Sequence, residues 1–448
     1  MESATRGGLK FGLCVMMFLQ IFVWGAWFEL NFGYVDKGLG LNPDQQWYIF
    51  SAFNIGALFA LFFGTQFADR RFSAEKYLAF SHLIGGLAIG GLFFVEKGWT
   101  TEVSGNKIDL TFWVFFTLML IHSLFYVPTI SITNSIAFTH LKDPQREFGR
   151  VRVWGTIGWI VASWPLIFIL VNWAKVPQFG TVPFTDWLEK AFDRNNARVG
   201  DDYRHASRYI YLIAGGASLL LALISLKLPH TPPKPATPGN KLAWFEALKL
   251  LRKPFVLVLF IVTFIDAAVH QTYFVWTERF LTGEVKIPSN WAPSVMKIGQ
   301  VAEILTMIIL GYVLKRLGWR TTMILGVLGH AARFAVFAFY PKPWAAIAIN
   351  VVHGICYAFF FATVYIFIDE FFPKDARASA QGLFNFLILG AGPFAANYAC
   401  TRLGELYGMG GDKYDFDQIF LYPLGAALVA TVLLVLLFHP PDKAPPES

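Results

Sequence analysis

Arg152, Thr156 and Trp159 fall at i, i+4 and i+7 in an apolar run, so on a helix they share one face. Gln300 and Glu303, three residues apart in another apolar run, do the same. Gln271 with Phe274, and His353 with Tyr357, each set a polar group beside an aromatic ring. A guanidinium, a carboxylate and carboxamides make complementary hydrogen bonds, and an amide offers both a donor and an acceptor to the edge of a heterocycle. Rings add stacking, about 1–3 kcal/mol per base in nucleic-acid sites. Together these groups suit a cavity for a small polar solute that carries a flat ring. Other charges in apolar runs have simpler readings. Arg333, His330 and His122 are expected to reach back to water near helix ends, and Asp266 and His270, at i and i+4, can pair with each other. Glu29 is a further acid inside the first apolar run.

The elements that must hold these groups follow from composition. Of 448 residues, 55% are hydrophobic, 17% aromatic and 15% charged. Soluble domains carry roughly 25% charged residues, so too little charge is present to cover a soluble surface of this size. A soluble enzyme, a disordered chain and a disulfide scaffold are excluded, leaving an integral membrane protein. Cys14, Cys356 and Cys400 show no CxxC spacing and read as small apolar residues, without a disulfide or metal site. The net charge of +7 fits basic loops facing anionic lipid better than nucleic-acid binding. No cleavable signal is expected, because the first apolar run is too long for one.

A bilayer core takes about 20 apolar residues per helix. Spans are expected at 11–34, 47–68, 76–96, 110–138, 152–173 and 207–228, then at 255–278, 294–314, 321–340, 344–368, 380–402 and 419–438. The fold class is therefore all-α integral membrane, with twelve helices in two six-helix bundles, 1–228 and 255–438. Between them, 229–254 holds Pro229, Pro232, Pro233, Pro235 and Pro238 and then a basic stretch, a semi-rigid tether. Residues 439–448 form a tail. Lys and Arg favour the loops on the side of the two termini, which places both termini and the linker in the cytoplasm. Six plus six spans suggest the parallel repeat of major facilitator transporters. Gly86 with Gly90 reads as a close-packing stripe. No Walker loop, zinc pattern or nucleophile elbow is present, and the ionisable groups are scattered over many spans, so no enzyme chemistry and no cofactor are expected. The residues alone leave a sugar or another small metabolite open as cargo.

Particular stretches carry a resemblance. They are Leu19-Gln20 with Trp24-Gly25-Ala26-Trp27, Ala68-Asp69, Tyr126-Val127-Pro128-Thr129 with Asn134, and Val151-Arg152-Val153-Trp154-Gly155-Thr156-Ile157-Gly158. Leu228-Pro229-His230, Gln300 with Glu303, Arg333-Phe334-Ala335 and Arg377-Ala378-Ser379-Ala380-Gln381-Gly382 follow in order. The chain resembles the bacterial nucleoside:proton symporters of the major facilitator superfamily over nearly its whole length. The loop Asp69-Arg70-Arg71 is similar to a degraded form of the superfamily motif between spans 2 and 3.

The resemblance implies import of nucleosides across a bacterial inner membrane by a monomer, coupled to protons. It implies that Arg152 and Thr156 lie near the sugar, with Trp159 at an aromatic position. Gln271, Gln300 and Glu303 would bind base edges or ribose hydroxyls, and His353 and Tyr357 would line span 10, with Tyr357 stacking. Two positions depart from the family. Phe274 stands where an amide can occur, and Ala358 stands where a carboxylate would follow the span 10 aromatic. Glu303 and Glu29 are then the expected proton-coupling acids, and Ala358 leaves an uncoupled nucleoside facilitator as the alternative.

Overall fold

The computed structural model describes residues 2–60, 72–103, 106–142, 144–233, 249–372, 377–410 and 413–440. Among these residues, ten helices are long and apolar enough to cross a membrane. The first unit of the chain comprises Met1–Lys234 and Glu278–Lys297, and the second comprises Pro235–Thr277 and Ile298–Ser448. The expected second span begins in a described helix, but 61–71 lie outside the described residues, and with them the Asp69-Arg70-Arg71 loop. Most of the proline-rich linker and of the tail also lie outside them.

In the first unit, α1 (Glu2–Gly33) runs into a π turn at Tyr34–Gly38. The next helix, α2 (Pro43–Phe59), starts cleanly: the Asn42 side chain accepts from the Gln45 amide, the Gln45 side chain accepts from the Asn42 amide, and Pro43 needs no partner at the first helical position. Then come α3 (Ala74–Gly91), a hairpin of β1 (Thr100–Val103) and β2 (Asn106–Asp109), and α4 (Leu110–His140). After them α5 (Pro144–Val161), three short helices, α6 (Trp164–Ile169), α7 (Phe184–Phe192) and α8 (Gly200–Ser207), and finally α9 (Tyr209–Ser225) complete this unit's main elements.

Lipid is as apolar as leucine, so close backbone approach must hold such helices together. A Cβ on Gly215 of α9 would come within 2.8 Å of the Gly90 Cα on α3, so the glycine stripe does pack one helix on another. Gly158 of α5 is tighter still, because a Cβ there would run into the Phe18 carbonyl oxygen of α1. Gly158→Ala is therefore expected to destabilise the protein by about 1–3 kcal/mol, the usual cost of overpacking. A lowered thermal midpoint of the purified protein in detergent checks this, and an unchanged midpoint would contradict the α1–α5 contact.

The second unit holds most of α10 (Pro254–Gly283) and of α11 (Ala292–Phe339), then α12 (Pro343–Phe371), α13 (Arg377–Asn385), α14 (Gly392–Leu406) and α15 (Phe416–Leu437). The 48 residues of α11 are not one rod. Gly318 has φ 75° and ψ 172°, a conformation that suits a residue without a Cβ, and it separates two spans where the sequence calls for two. Within α12 the helix widens into a π turn at Tyr357–Ala362, a local form frequent at functional positions.

Candidate functional site

In the first unit, α5 presents Arg152 and Thr156, both half-buried, and Trp159, which is buried. Among the described residues neither Arg152 nor Thr156 has a hydrogen-bond or ion-pair partner. Several other helical threonines bond their own helix, although Thr277 does not. Thr263, Thr272, Thr322, Thr401 and Thr431 each donate to the carbonyl four residues back. Thr156, one turn after Arg152 on the same face, has no such bond among the described residues. The Trp159 ring lies edge-on to Trp24 at 5.3 Å and carries the Lys297 ammonium 4.2 Å from its centroid.

Lys297 is a residue that the sequence reading passes over. Its ammonium donates to Glu29 Oε1 at 2.9 Å, and both side chains are almost fully buried. Glu29 is thus held in an ion pair with a residue 268 positions away in sequence. The signal was a spacing of three, since Lys297, Gln300 and Glu303 follow one another along one side of α11. Two more buried charges, Glu278 and Arg279, escape the sequence reading. Arg279 bonds the Phe32 carbonyl at 3.0 Å and lies 3.2 Å from Asp36, and the Tyr203 hydroxyl donates to Glu278.

In the second unit, α11 and α12 approach closely. A Cβ on Gly299 would sit 2.6 Å from the His353 Cβ, and one on Gly354 would collide with the backbone of Glu303. This contact puts Gln300 beside His353, their Nε2 atoms 3.4 Å apart, and leaves Glu303 half-buried close by. On α10, Gln271 donates to Asn397 Oδ1 of α14 at 2.9 Å. Phe274 is buried, its ring edge-on to His270 at 5.3 Å and to His353 at 5.8 Å. Tyr357, at the start of the π turn, has its ring 5.9 Å from Phe361. The structure therefore gathers Gln300, Glu303, His353 and Phe274 in one neighbourhood of this unit, with Gln271 tied to α14.

Three expectations about charges change. Arg333, His330 and His122 do not reach water; each is fully buried. His122 donates Nδ1–H to the Gly85 carbonyl at 2.9 Å. Arg333 bonds His330 and His353, and its guanidinium lies 3.9 Å over the Tyr273 ring. Asp266 does not pair with His270; the nearest cationic-capable group is His330, 3.7 Å away. A buried network of Gln20, Thr129, His82 and Ser218 is also new, with Gln20 donating to Thr129 at 2.8 Å and His82 bonded to Gln20 and Ser218. A surface cleft by the β-hairpin, lined by Leu39, Lys97, Lys107 and Asp109 among others, contains none of the candidate residues.

The YegT protein of Escherichia coli K12 is 29% identical over 96% of this chain and 94% of its own length. The xanthosine permease of the same organism is 26% identical, covering 96% of this chain and 97% of that one. A crystal structure of the nucleoside transporter NupG superposes with a TM-score of 0.76 at 23% identity, over 97% of this chain and all of that one. A D-xylose–proton symporter structure shares the fold at 12% identity and a TM-score of 0.68. The fold is the twelve-helix major facilitator fold. The profile of the nucleoside H+ symporters matches residues 8–184 and 198–443, and so the chain belongs to the nucleoside H+ symporter family of membrane transporters.

Proposed function

We propose that this protein imports nucleosides across a bacterial cytoplasmic membrane by alternating access, driven by protons, and that it acts as a monomer with both termini in the cytoplasm. The observation that carries the site assignment is the half-buried pair Arg152 and Thr156 on α5, whose polar atoms have no partner among the described residues. A charge inside a span costs about 2.5–3.5 kcal/mol on insertion scales and persists where it faces water or a ligand. Five donors in a fork beside a hydroxyl match the hydroxyl oxygens of a ribose.

In this reading Gln271, Gln300 and Glu303 take base edges or ribose hydroxyls. Trp159, Phe274, His353 and Tyr357 supply ring and edge contacts. Phe274 contributes area in place of a hydrogen bond. Glu29 is committed to Lys297 and serves the integrity of the first unit rather than proton exchange. No bond in the solute is made or broken, so the cargo leaves as it entered.

Uptake of labelled uridine, adenosine and xylose by a transporter-deficient host, at two external pH values, tests the proposal. Nucleoside uptake should rise at the more acidic value, unlabelled nucleosides should compete, and the label should be recovered as unmodified nucleoside. Xylose uptake that nucleosides do not inhibit would move the cargo to sugars; a chemically altered label would point to an enzyme.

A further inference from the structure

In the second unit, four buried side chains form a row, open by one gap at Asp266, that ends on Gln300. Asp266 on α10 has its Oδ2 3.7 Å from His330 Nε2. His330 Nδ1 is 2.7 Å from Arg333 Nη2, and Arg333 Nη1 is 2.9 Å from His353 Nδ1. His353 Nε2 in turn faces the Gln300 amide at 3.4 Å. Asp266, His330 and Arg333 are fully buried, and His353 nearly so.

Hydrogen-bond chemistry fixes the protons along most of this chain. A guanidinium only donates, so both Nδ1 atoms accept and each neutral imidazole carries its hydrogen on Nε2. The His330 Nε2–H therefore points toward Asp266, at a distance too long for a hydrogen bond. Both Asp266 oxygens and His330 Nε2 are without hydrogen-bond partners among the described residues. At the other end, the His353 Nε2–H meets the amide group of Gln300, while the buried Gln300 Oε1 is unsatisfied. Turning the amide over, an assignment that geometry alone leaves open, gives His353 its acceptor.

The chain thus has one loose end, at Asp266. A bare carboxylate without a donor in this apolar setting is costly, whereas a neutral acid is tolerated. Losing its proton would create an anion facing His330 and Arg333 of α11 and Cys356 of α12, with His270 four residues further along its own helix. That anion would draw in the His330 N–H, a closure of roughly 0.8 Å to a normal N–H···O distance. Arg333 is bonded to the same imidazole and would follow, loosening its hold on His353 and hence on Gln300.

We propose that Asp266, with His330, holds the transported proton, and that Arg333 and His353 tie its loading to solute binding at Gln300. The proton arrives on an Asp266 oxygen from the outside and departs to the inside, and the histidines change neither tautomer nor charge. This arrangement supplies an acid in a chain that has Ala358 where the family resemblance calls for one. It rests on the assignment of Gln300 to the nucleoside.

The test uses full-length protein in proteoliposomes with labelled uridine, comparing the wild type with Asp266→Asn, His330→Gln and Glu303→Gln. Accumulation under an imposed potential, counterflow without a gradient, and uridine-induced proton uptake read by a pH dye are measured on each. At about 100 mV, one charge moved per solute supports an accumulation ratio on the order of 50-fold. Asp266→Asn should bring that ratio to about one and abolish the dye signal, while counterflow falls far less. Glu303→Gln should lower counterflow and accumulation together, as a ligand to the solute does.

Accumulation and proton uptake by Asp266→Asn like those of the wild type overturn the inference. Equal loss of counterflow and accumulation in a monodisperse Asp266→Asn protein also overturns it, making the residue part of the binding wall. Should that variant fail to fold, His330→Gln is read by the same criteria. Absence of any uridine counterflow by the wild type would instead overturn the nucleoside assignment itself.

Discussion

Arg152→Ala is expected to remove most nucleoside uptake while the protein still reaches the membrane in normal amount. Hydrogen bonds to a charged group contribute about 1.5–3 kcal/mol each, and each 1.4 kcal/mol is tenfold, so low-concentration uptake should fall by roughly 10- to 100-fold. Folding should not suffer, because the guanidinium makes no hydrogen bond or ion pair with any described residue that its removal would orphan. The guanidinium lies close over Gly155 of its own helix, where a Cβ would meet Arg152 Nη1 at 2.6 Å. Arg152→Lys keeps the charge but loses the planar fork, and should recover only part of the activity. Initial rates, with immunoblots for protein level, decide the matter. Wild-type rates in Arg152→Ala would remove this residue from the solute's surroundings.

Glu29→Gln is expected to have the largest effect on stability. Lys297 would then keep its ammonium buried against the Trp159 ring with no anion to answer it. Breaking one side of a buried ion pair typically costs about 3–5 kcal/mol, whereas replacing both partners by apolar groups of similar volume is often neutral. A thermal midpoint in detergent well below that of the wild type is the expected reading for Glu29→Gln and for Lys297→Ala. The double variant Glu29→Met with Lys297→Met should recover most of the loss, and its cycle with the two single methionine variants measures the pair directly. Additive losses in the double variant would show that the two side chains do not depend on each other.

The helices were legible because each long apolar run reports its own state within some 20 residues. Helix faces were legible for the same reason: Arg152 with Thr156 follows from local periodicity, and so does Gln300 with Glu303. Pairing between helices was not. Arg333 and His330 looked like residues near a helix end, yet their partners lie on other helices, at His353 and Asp266. Glu29 read as a lone acid because Lys297 is 268 residues away. The i, i+4 spacing of Asp266 and His270 suggested a local pair, and the fold instead turned Asp266 toward His330. Periodicity says which side chains look the same way; it does not say what they look at.

One backbone torsion carries a topological burden. Without the bend at Gly318, the 48 residues of α11 would extend about 72 Å as a straight helix, more than twice the roughly 30 Å of a bilayer core. Filling that position with alanine penalises the left-handed turn and favours the uninterrupted rod. The bend at Gly318 thus lets the segment after it turn back along the layer, and the missing Cβ spares that turn the cost of a positive φ.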